Sequence, residues 1–127
     1  MARPRTTRRK ILEFALGFPE AYLDHPWEED VVKVGKKIFV FLGMEDSEES
    51  GMTVKLDESH EQALAVPGAE PTGYGLGRAG WVTVPFKDTT PPLDVLKDWV
   101  FESYCRVAPK RLVTQLEAPL RPGEPGP

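Results

Sequence analysis

The sequence predicts an α+β fold: an antiparallel sheet of about four to five strands with helices packed on one face. Three observations predict it. Short stretches of two-residue alternation lie close together and are joined by tight turns, which argues for antiparallel neighbours. Stretches with helical spacing stand near both ends of the chain, each with one apolar stripe. The chain has 127 residues, 40% of them hydrophobic, which suits one domain around one core.

Residues 1–6 read as a basic disordered tail. A helix fits residues 7–16, because Ile11, Phe14, Ala15 and Phe18 recur at i, i+3, i+4 and i+7. Gly17 suits the position past its end, and Pro19 blocks continuation. Residues 19–30, with Tyr22, His25, Pro26 and Trp27, read as a polar and aromatic connection. Val31 to Val34 is a short strand, and Gly35-Lys36 a tight turn. Lys37 to Leu42 is nearly all apolar and so is expected at the centre of the sheet. Residues 43–51 read as an acidic hairpin loop.

Met52 to Leu56 alternates, with Met52, Val54 and Leu56 on one side and Thr53 and Lys55 on the other. A short helix fits 59–66, where Ser59 and Gln62 match a capping box and Pro67-Gly68 ends it. The glycine- and proline-rich stretch 67–80 leads into a strand over Trp81 to Phe86. Pro85 argues for an edge position or the strand's end. Pro91 and Pro92 open a long helix reaching about residue 107, and Asp94 complements its dipole. Its buried stripe is Leu93, Leu96, Val100, Tyr104 and Val107. Pro109 breaks it and starts a last short helix through Leu116. Residues 117–127, with four prolines and two glycines, read as a second disordered tail. The expected domain is 7–116.

Charge divides the chain. Five of the 16 bases, Arg3, Arg5, Arg8, Arg9 and Lys10, fall in the first ten residues, which hold no acid. The other 11 bases face all 20 acids, a balance of −9. A body of that sign is not a general nucleic-acid binder, since such binding draws on phosphate neutralisation. The single cysteine, Cys105, fits a reducing compartment. The longest apolar run, Ile38 to Leu42, is too short to span a bilayer. The basic N-terminus lacks the apolar stretch of a signal peptide. The expectation is a cytoplasmic protein with no membrane partner, a monomer or small homo-oligomer.

Several segments taken together resemble a known family. His25-Pro26-Trp27 precedes the hairpin Val32-Lys33-Val34-Gly35-Lys36-Lys37-Ile38-Phe39. Met52-Thr53-Val54-Lys55-Leu56 follows, then Gly80-Trp81-Val82-Thr83-Val84, then Glu102-Ser103-Tyr104 with Val107. Their order and spacing, over about residues 8–116, resemble the MmcQ/YjbR family of small bacterial proteins. The resemblance implies a compact α+β fold likened to a double-winged DNA-binding shape and to the frataxin-like fold. It implies no established activity.

The strand alternation supplies the main candidate site. If Val32, Val34, Met52, Val54, Val82 and Val84 face the helices, then Lys33, Thr53, Lys55, Trp81 and Thr83 share the other face. A tryptophan among lysines can stack on a base or an aromatic ligand while the lysines meet an anion. The competing reading folds the loop 19–30, with Trp27, over this face as a second small core. The accessibility of Trp81 decides between them.

Other motifs are weaker. Gly75-Leu76-Gly77-Arg78-Ala79-Gly80 matches the dinucleotide fingerprint G-x-G-x-x-G. It precedes a strand, where the fingerprint must follow one, so it reads as a glycine hairpin. His25 lies near Asp24, Glu28, Glu29 and Asp30, which invites a metal or acid–base role. One histidine with loop carboxylates lacks ligand spacing and reads as a solvated turn. His60 reads as exposed in a first helical turn. Cys105 has no histidine near it in sequence and reads as a half-buried helix residue. Glu102, if partly buried, needs a partner such as Lys33, Lys55 or Arg111.

The ranked expectation is a non-enzymatic protein that binds a small aromatic or anionic ligand through Lys33, Thr53, Lys55, Trp81 and Thr83, with Trp27 and His25 beside them. The first alternative is DNA or other nucleic-acid association, with Arg3, Arg5, Arg8, Arg9 and Lys10 contacting phosphates. The second is an enzyme of unrecognised type using His25 or Glu102. No cofactor or metal is called for.

Overall fold

The structure is a computed structural model, and it describes residues 4–25, 29–43, 51–73, 79–87 and 90–117. It is α+β. Helix α1 spans Pro4–Leu16, followed by strands β1 (Ala21–Asp24), β2 (Asp30–Val34), β3 (Lys37–Gly43) and β4 (Gly51–Lys55). Helix α2 (His60–Leu64), strands β5 (Glu70–Pro71) and β6 (Trp81–Pro85), and helices α3 (Leu93–Val107) and α4 (Lys110–Glu117) complete it. The six strands lie in the order β1-β2-β3-β4-β6-β5, and every pairing is antiparallel.

The sheet has six strands where four to five are expected, and two of them, β1 and β5, fall where the sequence suggested connections. β1 pairs with β2 along Ala21–Asp24 and forms one edge of the sheet, so the connection expected at 19–30 is partly a strand. Glu70–Pro71 adds two residues beside Val82 and Thr83. β6 is therefore interior, and Pro85 is its last residue, opposite Gly51. The first helix begins at Pro4, earlier than the expected tail boundary. The acidic loop 44–50, Trp27, the glycine-rich 74–78 and the terminal stretch 118–127 lie outside the described residues.

The core forms between the sheet and the helices α1 and α3. Val32, Val34, Met52, Val54, Val82 and Val84 all face it, as the alternation requires. β3 carries two irregularities opposite β2, so Phe39, Val40 and Leu42 are all buried in the core. One extra residue at such a bulge bends the strand and re-aims its side chains. This explains why β3 reads as a continuous apolar run. From α3, Leu96, Trp99, Val100 and Tyr104 close the layer. Phe18, just past α1, stacks on Tyr104 at 4.6 Å between centroids, and the Tyr104 hydroxyl donates to the Pro19 carbonyl at 2.8 Å.

Val31 and Trp81 are buried but stand outside this cluster. They belong to the opposite face, where Val31 lies across from Phe41 and Phe41 across from Thr53. Trp81 meets Phe41 edge to face, with centroids 5.4 Å apart and planes at 74°. The centre of the far face is thus an apolar patch, with polar residues around it.

Candidate functional site

The pairing of β3 with β4 explains where a pocket forms. Their ladder is recorded at Phe41↔Thr53 and Val40↔Val54. One step further, the buried Ser103 of α3 occupies the gap. Its hydroxyl donates to the Phe39 carbonyl and accepts from the Lys55 N–H at 2.9 Å. A hydroxyl thus replaces the direct strand-to-strand bond and satisfies both backbone groups. It also holds β3 and β4 apart at this end of the sheet. The next helical turn, with Arg106 and Val107, follows beside the opening.

A pocket of about 420 Å³ lies there. The β2–β3 hairpin contributes Lys33, Lys36, Lys37 and Ile38, β4 contributes Lys55, β6 contributes Trp81, and α3 contributes Arg106 and Val107. That volume falls in the range of small-molecule sites. Its described lining holds five cations and three apolar side chains, with no carboxylate. Gly80 positions Trp81 against Lys55. Its carbonyl accepts from the Leu56 N–H at 2.9 Å, and at φ +98° an added Cβ would come within 2.5 Å of the Leu56 carbonyl oxygen. Only glycine accepts that conformation and that approach.

The five cations are not equivalent. Lys33 is held by Asp24 at 2.8 Å. That hydrogen bond raises the Lys33 ammonium above its ordinary value. The same bond, seconded by the His25 backbone N–H, lowers the Asp24 carboxyl. Arg106 reaches Asp57 only at 3.4 Å. Lys36, Lys37 and Lys55 have no acidic partner among the described residues.

Trp81 is 9% exposed. It is no open stacking platform, because Phe41 covers it edge-on, and its remaining surface forms part of the pocket floor. Thr53 and Thr83 lie one row along the same face. Their hydroxyls bond each other at 3.0 Å, and Thr83 also bonds Thr72 at 3.0 Å, a polar ladder outside the pocket lining. Of the sequence-derived set, Lys33, Lys55 and Trp81 converge on the pocket. Lys36, Lys37 and Arg106 join them without having been anticipated.

His25, Arg8, Arg9 and Lys10 lie elsewhere. His25 is 61% exposed, with Nδ1 2.7 Å from Asp30 Oδ1. Arg8 departs from its expected role as a phosphate contact. It is buried, and its guanidinium binds Asp30 at 2.5 Å and the carbonyls of Leu42 and Gly43 at 3.2 and 3.0 Å. These groups stand at the end of the β2–β3 hairpin opposite Lys36 and Lys37. Arg9 and Lys10 are exposed on α1, and Arg3 and the Arg5 side chain lie outside what is described.

A second cavity, of about 440 Å³, adjoins the first through Arg106 and is lined by Leu56, Asp57, Glu58, His60, Glu61, Ala79 and Gly80. Glu102 differs from its expected pairing with a base. Its carboxylate accepts from the Asp57 N–H at 2.7 Å, the Ser59 N–H at 3.2 Å and the Ser59 hydroxyl at 2.8 Å. Ser59 therefore does not cap α2 through its own side chain, and the capping box is absent. A glutamate from α3 fixes the start of α2 instead. His60 is half-buried, not exposed, and its Nε2 has no partner among the described residues. Among the described residues no group of three or more His, Cys, Asp or Glu side chains is placed to hold a metal ion.

A model of the YjbR family matches residues 16–106. The chain belongs to the YjbR family. The match runs from the end of α1 to Arg106, so it takes in every lining residue of the basic pocket except Val107. It is narrower than the 8–116 over which the sequence resembles the family. No curated protein matches the chain. Among the described residues of this YjbR chain, no helix is long and apolar enough to cross a membrane.

Proposed function

We propose that this YjbR-family protein is a non-catalytic binding protein that takes a small aromatic anion in the basic pocket at the β2–β3 turn. One observation carries the reading. Lys36, Lys37 and Lys55 gather without acidic partners around Trp81, Ile38 and Val107, in a chain whose net charge is −4. Like charges held together repel, so such a cluster gains stability when an anion joins it. The apolar floor then favours an anion with a flat hydrophobic body over a bare ion. A cytoplasmic setting, where Cys105 stays reduced, fits the same reading.

Nucleic-acid association is the second reading, and the cation cluster favours it. Arg8 does not extend the cluster, since it lies at the other end of the hairpin and is committed to Asp30.

Calorimetric titration with AMP, 1-naphthalenesulfonate and adenosine tests the proposal. The two anions bind saturably and neutral adenosine does not. Replacing Lys36 and Lys37 by glutamine weakens the anions about tenfold and leaves the melting temperature unchanged. Absence of saturable binding for both anions rejects the proposal. Displacement of AMP by a short DNA duplex, with steep salt dependence, would favour the second reading.

A further inference from the structure

We infer that Arg106 is a movable arm of the anion pocket and that Asp57 is its built-in competitor. The inference rests on the proposed reading of that pocket and names how its affinity is set. Arg106 lines both cavities, the basic one and the acidic one, whereas Asp57 lines only the acidic one. Its Nη1 lies 3.4 Å from Asp57 Oδ2, well beyond the 2.7–2.9 Å typical of a charge-assisted bond. Both side chains are well exposed, at 43% and 65%. A long, solvated pair of this kind is worth little. Lys33 in the same pocket is held far more closely, at 2.8 Å from Asp24.

The two partners differ in freedom. Asp57 has its backbone N–H fixed by Glu102 at 2.7 Å, and Glu102 precedes Arg106 by one helical turn on α3. The same helix therefore pins Asp57 through one residue and touches it loosely through another. When an anion enters the basic pocket, Asp57 cannot follow and Arg106 can leave. Turning from Asp57 to the anion exchanges a long monodentate contact for a planar, two-pronged one, which a guanidinium offers and a lysine does not. Arg106 then selects for carboxylate, sulfonate or phosphate groups that accept two parallel bonds.

A double-mutant cycle with AMP as probe tests this. Asp57→Asn frees Arg106 without removing the backbone N–H that Glu102 holds. It tightens AMP about two- to five-fold. Arg106→Gln weakens AMP about three- to ten-fold. In the Arg106→Gln background, Asp57→Asn changes AMP affinity little, because no arm remains to release. An Asp57→Asn gain of equal size in both backgrounds overturns the inference, since that is the signature of a distant charge acting through the field alone. A wild type that binds no AMP overturns the pocket reading itself and is told apart by the first titration. Circular dichroism melts of all four proteins are expected to coincide within a few degrees, which separates the effect from a loss of fold.

Discussion

The two ends of the β2–β3 hairpin treat charge in opposite ways. At the closed end, away from the turn, Arg8 is buried: its Nε donates to the Leu42 carbonyl, and its Nη2 donates to Asp30 and to the Gly43 carbonyl. Asp30 is shared in turn with His25. At the turn end, Lys36, Lys37 and Lys55 have no acid beside them among the described residues. A buried charge survives only when its partners are built in. A cation left at the surface of a pocket costs little, because water solvates it. The closed end therefore reads as architecture and the turn end as a place that awaits an outside partner. It follows that substitutions at the closed end change stability, and those at the turn end change binding.

The strongest way to break this contrast is Arg8→Ala. It leaves Asp30 beside the sheet with no guanidinium and strips two backbone carbonyls of a donor. A loss of about 3 kcal/mol is expected, the scale on which removing one partner of a buried pair acts. Urea denaturation followed by far-ultraviolet circular dichroism measures it. If Arg8→Ala unfolds at the same urea concentration as wild type, the closed end is not structural, and Arg8 returns to the pool of surface bases.

Ser103→Ala comes next. Its hydroxyl serves the Phe39 carbonyl and the Lys55 N–H together. Removal leaves two backbone groups unpaired unless β3 and β4 close on each other, and the expected loss is about 2 kcal/mol. This variant sharpens the contrast, because it acts on the turn end through the frame and not through charge. Closure of the strands would narrow the pocket and weaken AMP as well. A normal melt with normal AMP binding would mean that the serine does not hold the strands apart.

Much of the fold was legible in the sequence, and the pocket only in part. The alternation of Met52, Val54, Val82 and Val84 put Lys55 and Trp81 on the far face correctly, because in a strand the side of one residue fixes the side of the next. β1 escaped notice because Tyr22 and Leu23 are both exposed, so the edge strand shows no buried–exposed alternation. Lys36 and Lys37 sit in and beside a turn, where alternation says nothing about direction, although two lysines after Gly35 were a usable signal. Arg106 had none. It reaches the pocket only because Ser103 inserts between two strands far from it in sequence. Glu102 was recognised as needing partners, but local sequence suggested bases, whereas the fold supplied N–H groups from the start of α2.

The smallest expected effect concerns Lys33, where the two ends meet. Lys33 lines the pocket, yet Asp24, which also accepts from the His25 N–H, holds it at 2.8 Å. The Lys33 hydrogen bond, with the His25 N–H second, lowers the Asp24 carboxyl, so the folded state holds that proton less tightly than the unfolded chain. The stabilisation is then present above the ordinary aspartate range and is lost as pH falls through it towards the folded value. Lys33 is raised, so its share is present below the ordinary lysine range and is lost as pH rises through the folded value. Between those limits the pair is silent. Carbon-detected NMR titration of the Asp24 carboxyl is expected to show a lower midpoint in wild type than in Lys33→Gln. Protonating Asp24 also releases Lys33 to the pocket, so the AMP affinity per available phosphate charge should rise modestly on the acid side. Equal midpoints in the two proteins would mean that Asp24 does not hold Lys33. Lys33 would then join Lys36, Lys37 and Lys55 as a fourth unheld cation, and the boundary between the two ends would move to Asp30.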